Sequence, residues 1–290
     1  MQSHYTIGND VLAVTVGRHG AEMHSIRGCD GVEYLWQADP KVWGRHAPIL
    51  FPIVGQVAGG VYRLGDREYR MGQHGFARDS DFALTAKTAT SLELELQSSP
   101  STLLVYPFEF HLRVTYSLVG GELAVRYEVG NRGDRPMPFS IGAHPGFSCA
   151  WPDGGAPGTY YLAFETKENA PRYSIENGLL GVRPAGVVCD DRIALSPSLF
   201  DDGALIFKDL KSTRIALRNA QSRRQITVGY SGFPHMGIWA VPGASYVCIE
   251  PWFGHADPVG FAGDFTVKPG IRILPPGGLF ACTHTIAIEA

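Results

Sequence analysis

Leu112-Arg113-Val114-Thr115-Tyr116-Ser117-Leu118-Val119-Gly120-Gly121-Glu122-Leu123-Ala124-Val125-Arg126-Tyr127-Glu128-Val129 alternates apolar and polar residues on both sides of a Gly-Gly pair. Successive side chains of a strand point to opposite faces, so this period of two marks one buried and one solvated face. Glycine adopts the positive φ that a tight primed turn needs, so the stretch reads as a β-hairpin. The pattern extends outward in both directions. Leu92, Leu94 and Leu96 alternate with Glu93, Glu95 and Gln97, and shorter runs follow at 215–217, 226–230, 246–250 and 271–274. The 35 glycines and 20 prolines show no repeat and suit many short strands joined by turns. No stretch reads as a long capped amphipathic helix. The expectation is an all-β chain, one domain over 1–290, built as a large antiparallel β-sandwich.

Hydrophobic residues make up 44% of the chain and charged residues 18%, which excludes a disordered or coiled-coil chain. Lys+Arg number 25 against 28 Asp+Glu, a net charge of −3. So small a charge gives no general grip on nucleic acid or an anionic membrane, and neither is expected as a partner. No apolar run reaches the roughly 18 residues of a spanning helix. Residues 1–4 show no basic region leading into an apolar one, so no secretory signal is expected. Cys29, Cys149, Cys189, Cys248 and Cys282 are never in C-x-x-C spacing. They read as reduced core thiols of a cytoplasmic protein.

Four segments interrupt the alternation with Pro, Gly, His and aromatic residues: 43–55, 73–78, 141–147 and 250–257. Irregular segments on a rigid sheet are where sites gather, although a strand edge or corner also collects Gly and Pro. The chain lacks a phosphate-binding G-x-x-x-x-G-K-[ST], a G-x-G-x-x-G, an H-E-x-x-H and a G-x-S-x-G. His255-Ala256-Asp257 has ligand-like spacing, but so short a match is common by chance, and no metal is expected. What remains is His74, His144 and Glu250 in apolar, glycine-rich settings. A partly buried imidazole and carboxylate suit proton transfer, because desolvation raises the carboxylate pKa toward working pH. Trp43 and Trp252 would offer flat faces to a sugar ring. The plainer alternative pairs each histidine with a carbonyl and Glu250 with an arginine.

Four strings together resemble the aldose 1-epimerase (galactose mutarotase-like) family, in order and over nearly the whole chain. They are Ala47-Pro48-Ile49-Leu50-Phe51-Pro52-Ile53-Val54-Gly55, Gln73-His74-Gly75-Phe76-Ala77-Arg78, Ile141-Gly142-Ala143-His144-Pro145-Gly146-Phe147, and Cys248-Ile249-Glu250-Pro251-Trp252-Phe253-Gly254 with Asp257. The likeness is greatest to the lactose-operon X branch. It implies the galactose mutarotase supersandwich, and interconversion of the α and β anomers of an aldose without cofactor or metal. It further implies Glu250 as catalytic base, His144 as catalytic acid and His74 as a substrate-binding histidine. Arg45 resembles an arginine of the hexose-6-phosphate branch, and Arg78 closes a string common to both branches. Two departures stand out. Gln56 replaces an arginine of the galactose branch, and Gly203 stands where relatives often carry Asp before Ala204-Leu205-Ile206-Phe207, leaving Asp202 as the nearby candidate. The implied partner is a small sugar, a free aldose or a hexose 6-phosphate. A non-catalytic sugar-binding sandwich would need neither proton donor nor acceptor, and a polysaccharide-processing enzyme would need further domains.

Overall fold

The computed structural model describes residues 3–154, 158–188 and 190–289. Phe110–Val119 runs antiparallel to Glu122–Asn131, with Leu118 opposite Leu123, Tyr116 opposite Val125 and Val114 opposite Tyr127. Gly120 in the connection takes φ 55°, the left-handed region that favours glycine. The register places apolar side chains opposite one another on one face, and Leu112, Val114, Tyr116, Leu123, Val125 and Tyr127 are buried. The hairpin belongs to a nine-stranded antiparallel sheet. Ala83–Lys87 and Ser91–Gln97 lie on one side of it. Leu279–Glu289, Gln225–Gly229, Arg214–Asn219, Tyr160–Phe164 and Arg192–Ala194 lie on the other.

A second antiparallel sheet of eight strands faces it. Its order is Leu179–Val188, Ala170–Glu176, Leu205–Lys208, His235–Trp239, Tyr246–Phe253, Ile141–Ala143 and Ile49–Leu50, and Gly146–Ser148 also pairs with Tyr246–Phe253. Ring pairs join the inner faces: Phe253 against Phe280 at 4.9 Å between centroids, and Phe164 against Phe207 at 6.5 Å. A three-stranded sheet, His4–Gly8, Leu12–Gly17 and Met23–Gly28, adds Val14, Val16 and Ile26 to the same core. The α-helix among the described residues, Pro100–Val105, is capped by the Ser99 side chain on the Thr102 amide. The architecture is the expected all-β antiparallel sandwich.

Two local expectations change. Segment 250–257 was expected to be irregular, yet the strand continues through Pro251 to Phe253, with Met236 opposite Pro251. Burial on both faces, Trp252 on one and Phe253 on the other, holds it extended although proline removes a ladder donor. Segment 141–147 is a strand broken in two at His144-Pro145, both halves pairing with Tyr246–Phe253. Of the cysteines, Cys248 is buried, Cys149 and Cys282 are half-buried, and Cys29 is exposed on a turn rather than in the core; these four are free thiols. Cys189 lies outside the described residues. No helix among the described residues is long and apolar enough to cross a membrane.

Candidate active site

Alternation along Tyr246–Phe253 hides Val247, Ile249 and Phe253 in the main core and turns Glu250 and Trp252 to the opposite face. The neighbouring strand repeats the device, with Leu205 and Phe207 in that core and Ile206 facing the other way. Leu50, Val54, Leu180, Ile206, Trp252 and Ala256 form a separate small apolar cluster there. On this face opens a pocket of about 450 Å³ with Glu250 and His144 in its wall. That volume falls in the range of small-molecule sites. A larger, more open depression of about 630 Å³ beside Pro107, Glu109 and Arg132 contains no comparable acid–base pair.

Glycines shape the floor. Gly237 lies directly opposite Glu250, and Gly142 opposite Trp252. A Cβ on either would come within 2.4 Å of the Trp252 ring, so the indole lies over two bare backbones. Its Nε1–H donates to the Ala143 carbonyl at 3.2 Å. The break at His144-Pro145 aims the His144 imidazole at Glu250, with Nε2 3.1 Å from Oε2. Apart from that approach, Glu250 Oε2 has no polar partner in the protein, although both residues are buried. Trp43 stacks on the imidazole at 5.1 Å, and Trp239 and His74 meet it edge-on at 5.9 and 5.5 Å.

His74 is held in the left-handed region (φ 64°) by a loop docked on Phe51, whose carbonyl accepts from the Phe76 and Ala77 amides. Gly75 is required at that contact, since a Cβ would sit 2.2 Å from the Phe51 carbonyl oxygen. The Gly55 amide donates to His74 Nδ1 at 3.1 Å. An N–H can only donate, so Nδ1 is the bare nitrogen and Nε2 carries the proton of the neutral ring. His255 also lines the pocket, and its ring has the opposite tautomer. Its Nδ1 lies 2.7 Å from the Ala256 carbonyl, which can only accept, leaving Nε2 as an acceptor.

Burial sets the electrostatics. Desolvation pushes the Glu250 carboxyl well above the usual carboxylate range. Desolvation, reinforced by Arg78 and Arg45 against the pull of a backbone hydrogen bond, lowers His144 to about 3. His74 is pushed well down by burial, then by His144, Arg78 and Arg45. Both members of the close pair thus favour their neutral forms, which hold one transferable proton between them.

The other expected residues divide. Arg78 lines the pocket, its buried Nε without a hydrogen-bond partner and 3.6 Å from an Asp79 oxygen. Arg45 does not line it; its Nη2 is 2.6 Å from Asp79 Oδ1 and its Nη1 donates to the Arg78 carbonyl. Asp202 is exposed on a turn, and the adjoining Gly203 and Ala204 reach the pocket instead. Gly203 at φ 88° ends that turn and leaves the Asp202 carboxylate in solvent. Trp239, Gln73 and His255 line the pocket without having been assigned to it by sequence. The His255-Ala256-Asp257 spacing is explained by structure: Asp257 accepts from the Ala58 amide and from buried Lys268 at 2.8 Å each.

The molecule is thus a broad two-layer sandwich that carries a buried Glu–His pair among tryptophans on one face of its eight-stranded sheet. The aldose 1-epimerase family model matches residues 3–268, and the chain belongs to that family. It is 33% identical to the chromosomal LacX protein of Lactococcus lactis subsp. lactis, over 92% of this chain and 93% of that one. The crystal structure of a galactose mutarotase related enzyme from Lactobacillus acidophilus superposes with a TM-score of 0.95 at 35% identity, covering 99% of this chain and 97% of that one. A galactose mutarotase-like protein from Lactobacillus casei gives 0.89 at 32% identity, over 99% and 100%.

Proposed function

We propose that this chain is an aldose 1-epimerase that opens and recloses the ring of a free aldose. The observation that carries the reading is the 3.1 Å approach of His144 Nε2 to Glu250 Oε2 in the wall of a sugar-sized pocket. Anomers interconvert through the open-chain aldehyde. A base takes the O1 proton while an acid protonates O5, the C1–O5 bond breaks, and the C1 carbonyl forms. After rotation about C1–C2, O5 attacks the other carbonyl face and the protons return. Glu250 acts as base and His144 as acid in ring opening, and they exchange roles in closure. One proton for the pair suffices, since carboxylate with imidazolium and carboxylic acid with imidazole differ only in where it sits. Each general acid or base supplies on the order of 10²–10⁴-fold. No step requires a metal or an organic cofactor.

His74 Nε2–H and Arg78 would donate to sugar oxygens, His255 Nε2 would accept from a hydroxyl, and Trp43 and Trp252 would cover apolar ring faces. A phosphorylated sugar would call on Arg45 for a bidentate contact. The Asp79 carboxylate already engages that guanidinium, which favours an uncharged aldose. Asp202 enters no step.

The test is polarimetry on freshly dissolved α-glucose, α-galactose and glucose 6-phosphate. The free sugars should mutarotate faster than in buffer. Glu250→Gln, which keeps shape and hydrogen bonding, should lower turnover at least about 10²-fold. Near-normal turnover in that variant removes Glu250 from the mechanism. Calorimetric sugar binding without acceleration would make the chain a binding sandwich, and acceleration confined to the 6-phosphate would return the substrate to phosphorylated hexoses.

A further inference from the structure

Cys248 stands two positions before Glu250 on the same strand, so alternation carries its sulfur to the Glu250 face. One donor atom each from His144, Cys248 and Glu250 lie within 4.8 Å of one another, and all three residues are buried. Thiol, imidazole and carboxyl are the usual donor set for zinc, with bonds of roughly 2.0–2.3 Å. Glu250 Oε2 meets no polar group of the protein except His144 Nε2, itself one of the three donors, so the oxygen is available where the three side chains converge.

We propose that His144, Cys248 and Glu250 bind a soft divalent cation such as Zn²⁺, and that the bound ion blocks the proton-transfer pair. Thiolate donors select zinc-like ions over magnesium and calcium, which prefer all-oxygen shells. Charge balance favours the complex in a buried setting. On binding, Cys248 gives up its S–H proton and Glu250 its O–H proton to water, and the two resulting anions offset the 2+ ion. His144 contributes a neutral ring nitrogen. The fourth position of a tetrahedral ion would face the pocket, where water would fill it and the hydrated ion would occupy the place of the sugar's reacting end. The same occupancy takes the Glu250 oxygen and the His144 nitrogen out of proton transfer. Binding is independent of the catalytic assignment; inhibition rests on it.

Co²⁺ serves as the probe, because a thiolate ligand gives it a sulfur-to-metal charge-transfer band in the near ultraviolet. Titration of the metal-free chain should develop that band at one ion per chain, and Zn²⁺ should abolish it. Cys248→Ser should remove the band, whereas Cys149→Ser should keep it. Even losing a residue behind a ligand costs roughly 10–100-fold in affinity, so His144→Asn should weaken Co²⁺ binding at least about 10-fold with the thiol intact. In polarimetry, Zn²⁺ should inhibit the wild type competitively with sugar, and Cys248→Ser should keep turnover while escaping inhibition. Absence of the band in the wild type at saturating Co²⁺ overturns the site, as does a band that survives Cys248→Ser; the wild-type result stands even if a variant misfolds. A Cys248-dependent band in a chain that accelerates no mutarotation would leave the metal site standing and defeat the catalytic reading instead.

Discussion

Glu250 is a carboxyl on a strand whose neighbour supplies only Gly237 opposite it, and its Oε2 meets no polar group of the protein except His144 Nε2. Such a position costs stability whenever the group is charged. Its carboxyl is raised in the folded protein by desolvation, so the fold binds this proton more tightly than the unfolded chain does. The stability that Glu250 contributes is therefore fully present below the unfolded carboxyl pKa and is lost as pH rises through the raised folded value. Glu250→Gln has no proton to lose. Its melting temperature should exceed that of the wild type by more at about pH 8 than at about pH 5, while turnover falls. Paired thermal melts at the two pH values decide the matter, and an equal or lower melting point for the variant at the higher pH would show that Glu250 is not held as a costly buried acid. Catalytic usefulness and local instability would then have one origin, the missing solvation of a single carboxyl.

At the scale of elements, the pocket depends on where strands carry nothing. The Trp252 ring rests on Gly142 and Gly237, and added methyl groups there would meet it at 2.4 Å. Gly237→Ala must tilt the indole or spread the two strands, and overpacking of this kind costs about 1–3 kcal/mol. A lower urea midpoint together with a raised KM for the sugar is the expected outcome, since the same indole lines the pocket. Unchanged values for both would mean that the ring is not a fixed wall. These glycines also show what the sequence made legible. The hairpin at Gly120-Gly121 was readable because period two and the turn are both local, and four distinctive strings singled out Glu250, His144, His74 and Arg78, which line one pocket. Arg45 and Asp202 were less tractable, because a guanidinium's partner and the direction of a turn depend on contacts outside their strings. Arg45 finds Asp79, 34 positions away. Trp239 and His255 gave no usable signal, because an aromatic at a strand end and a lone histidine occur in most cores. Glu22 is a further case. It is buried and accepts from the His46 and Ala47 amides at 2.7 and 2.9 Å, bracing the segment that leads to Pro48 in the pocket wall.

At the scale of the whole molecule, the pocket is tied together by chain segments far apart in sequence. Asp257 follows the strand that carries Glu250, and its Oδ2 accepts from the Ala58 amide, 199 positions away, at 2.8 Å. Its backbone amide donates to the Gln56 carbonyl, beside the Gly55 amide that fixes His74. Lys268 completes the clasp from the far side, with Nζ 2.8 Å from Asp257 Oδ1 and 2.7 Å from the His255 carbonyl, fully buried. A buried pair adds little net stability over well-packed apolar residues, but removing one partner strands the other charge at a cost of about 3–5 kcal/mol. Asp257→Ala should therefore lower the urea midpoint sharply, because the Lys268 ammonium would remain buried beside a single carbonyl. Replacing both partners, Asp257→Leu with Lys268→Met, should recover most of that loss, since no charge is then left unpaired. The sugar KM should follow a different course. It should rise in the single and the double variant alike, because both lose the Ala58 contact and loosen the segment that holds His74. Recovery of KM together with stability in the double variant would separate the clasp from the pocket and leave it a purely structural tie.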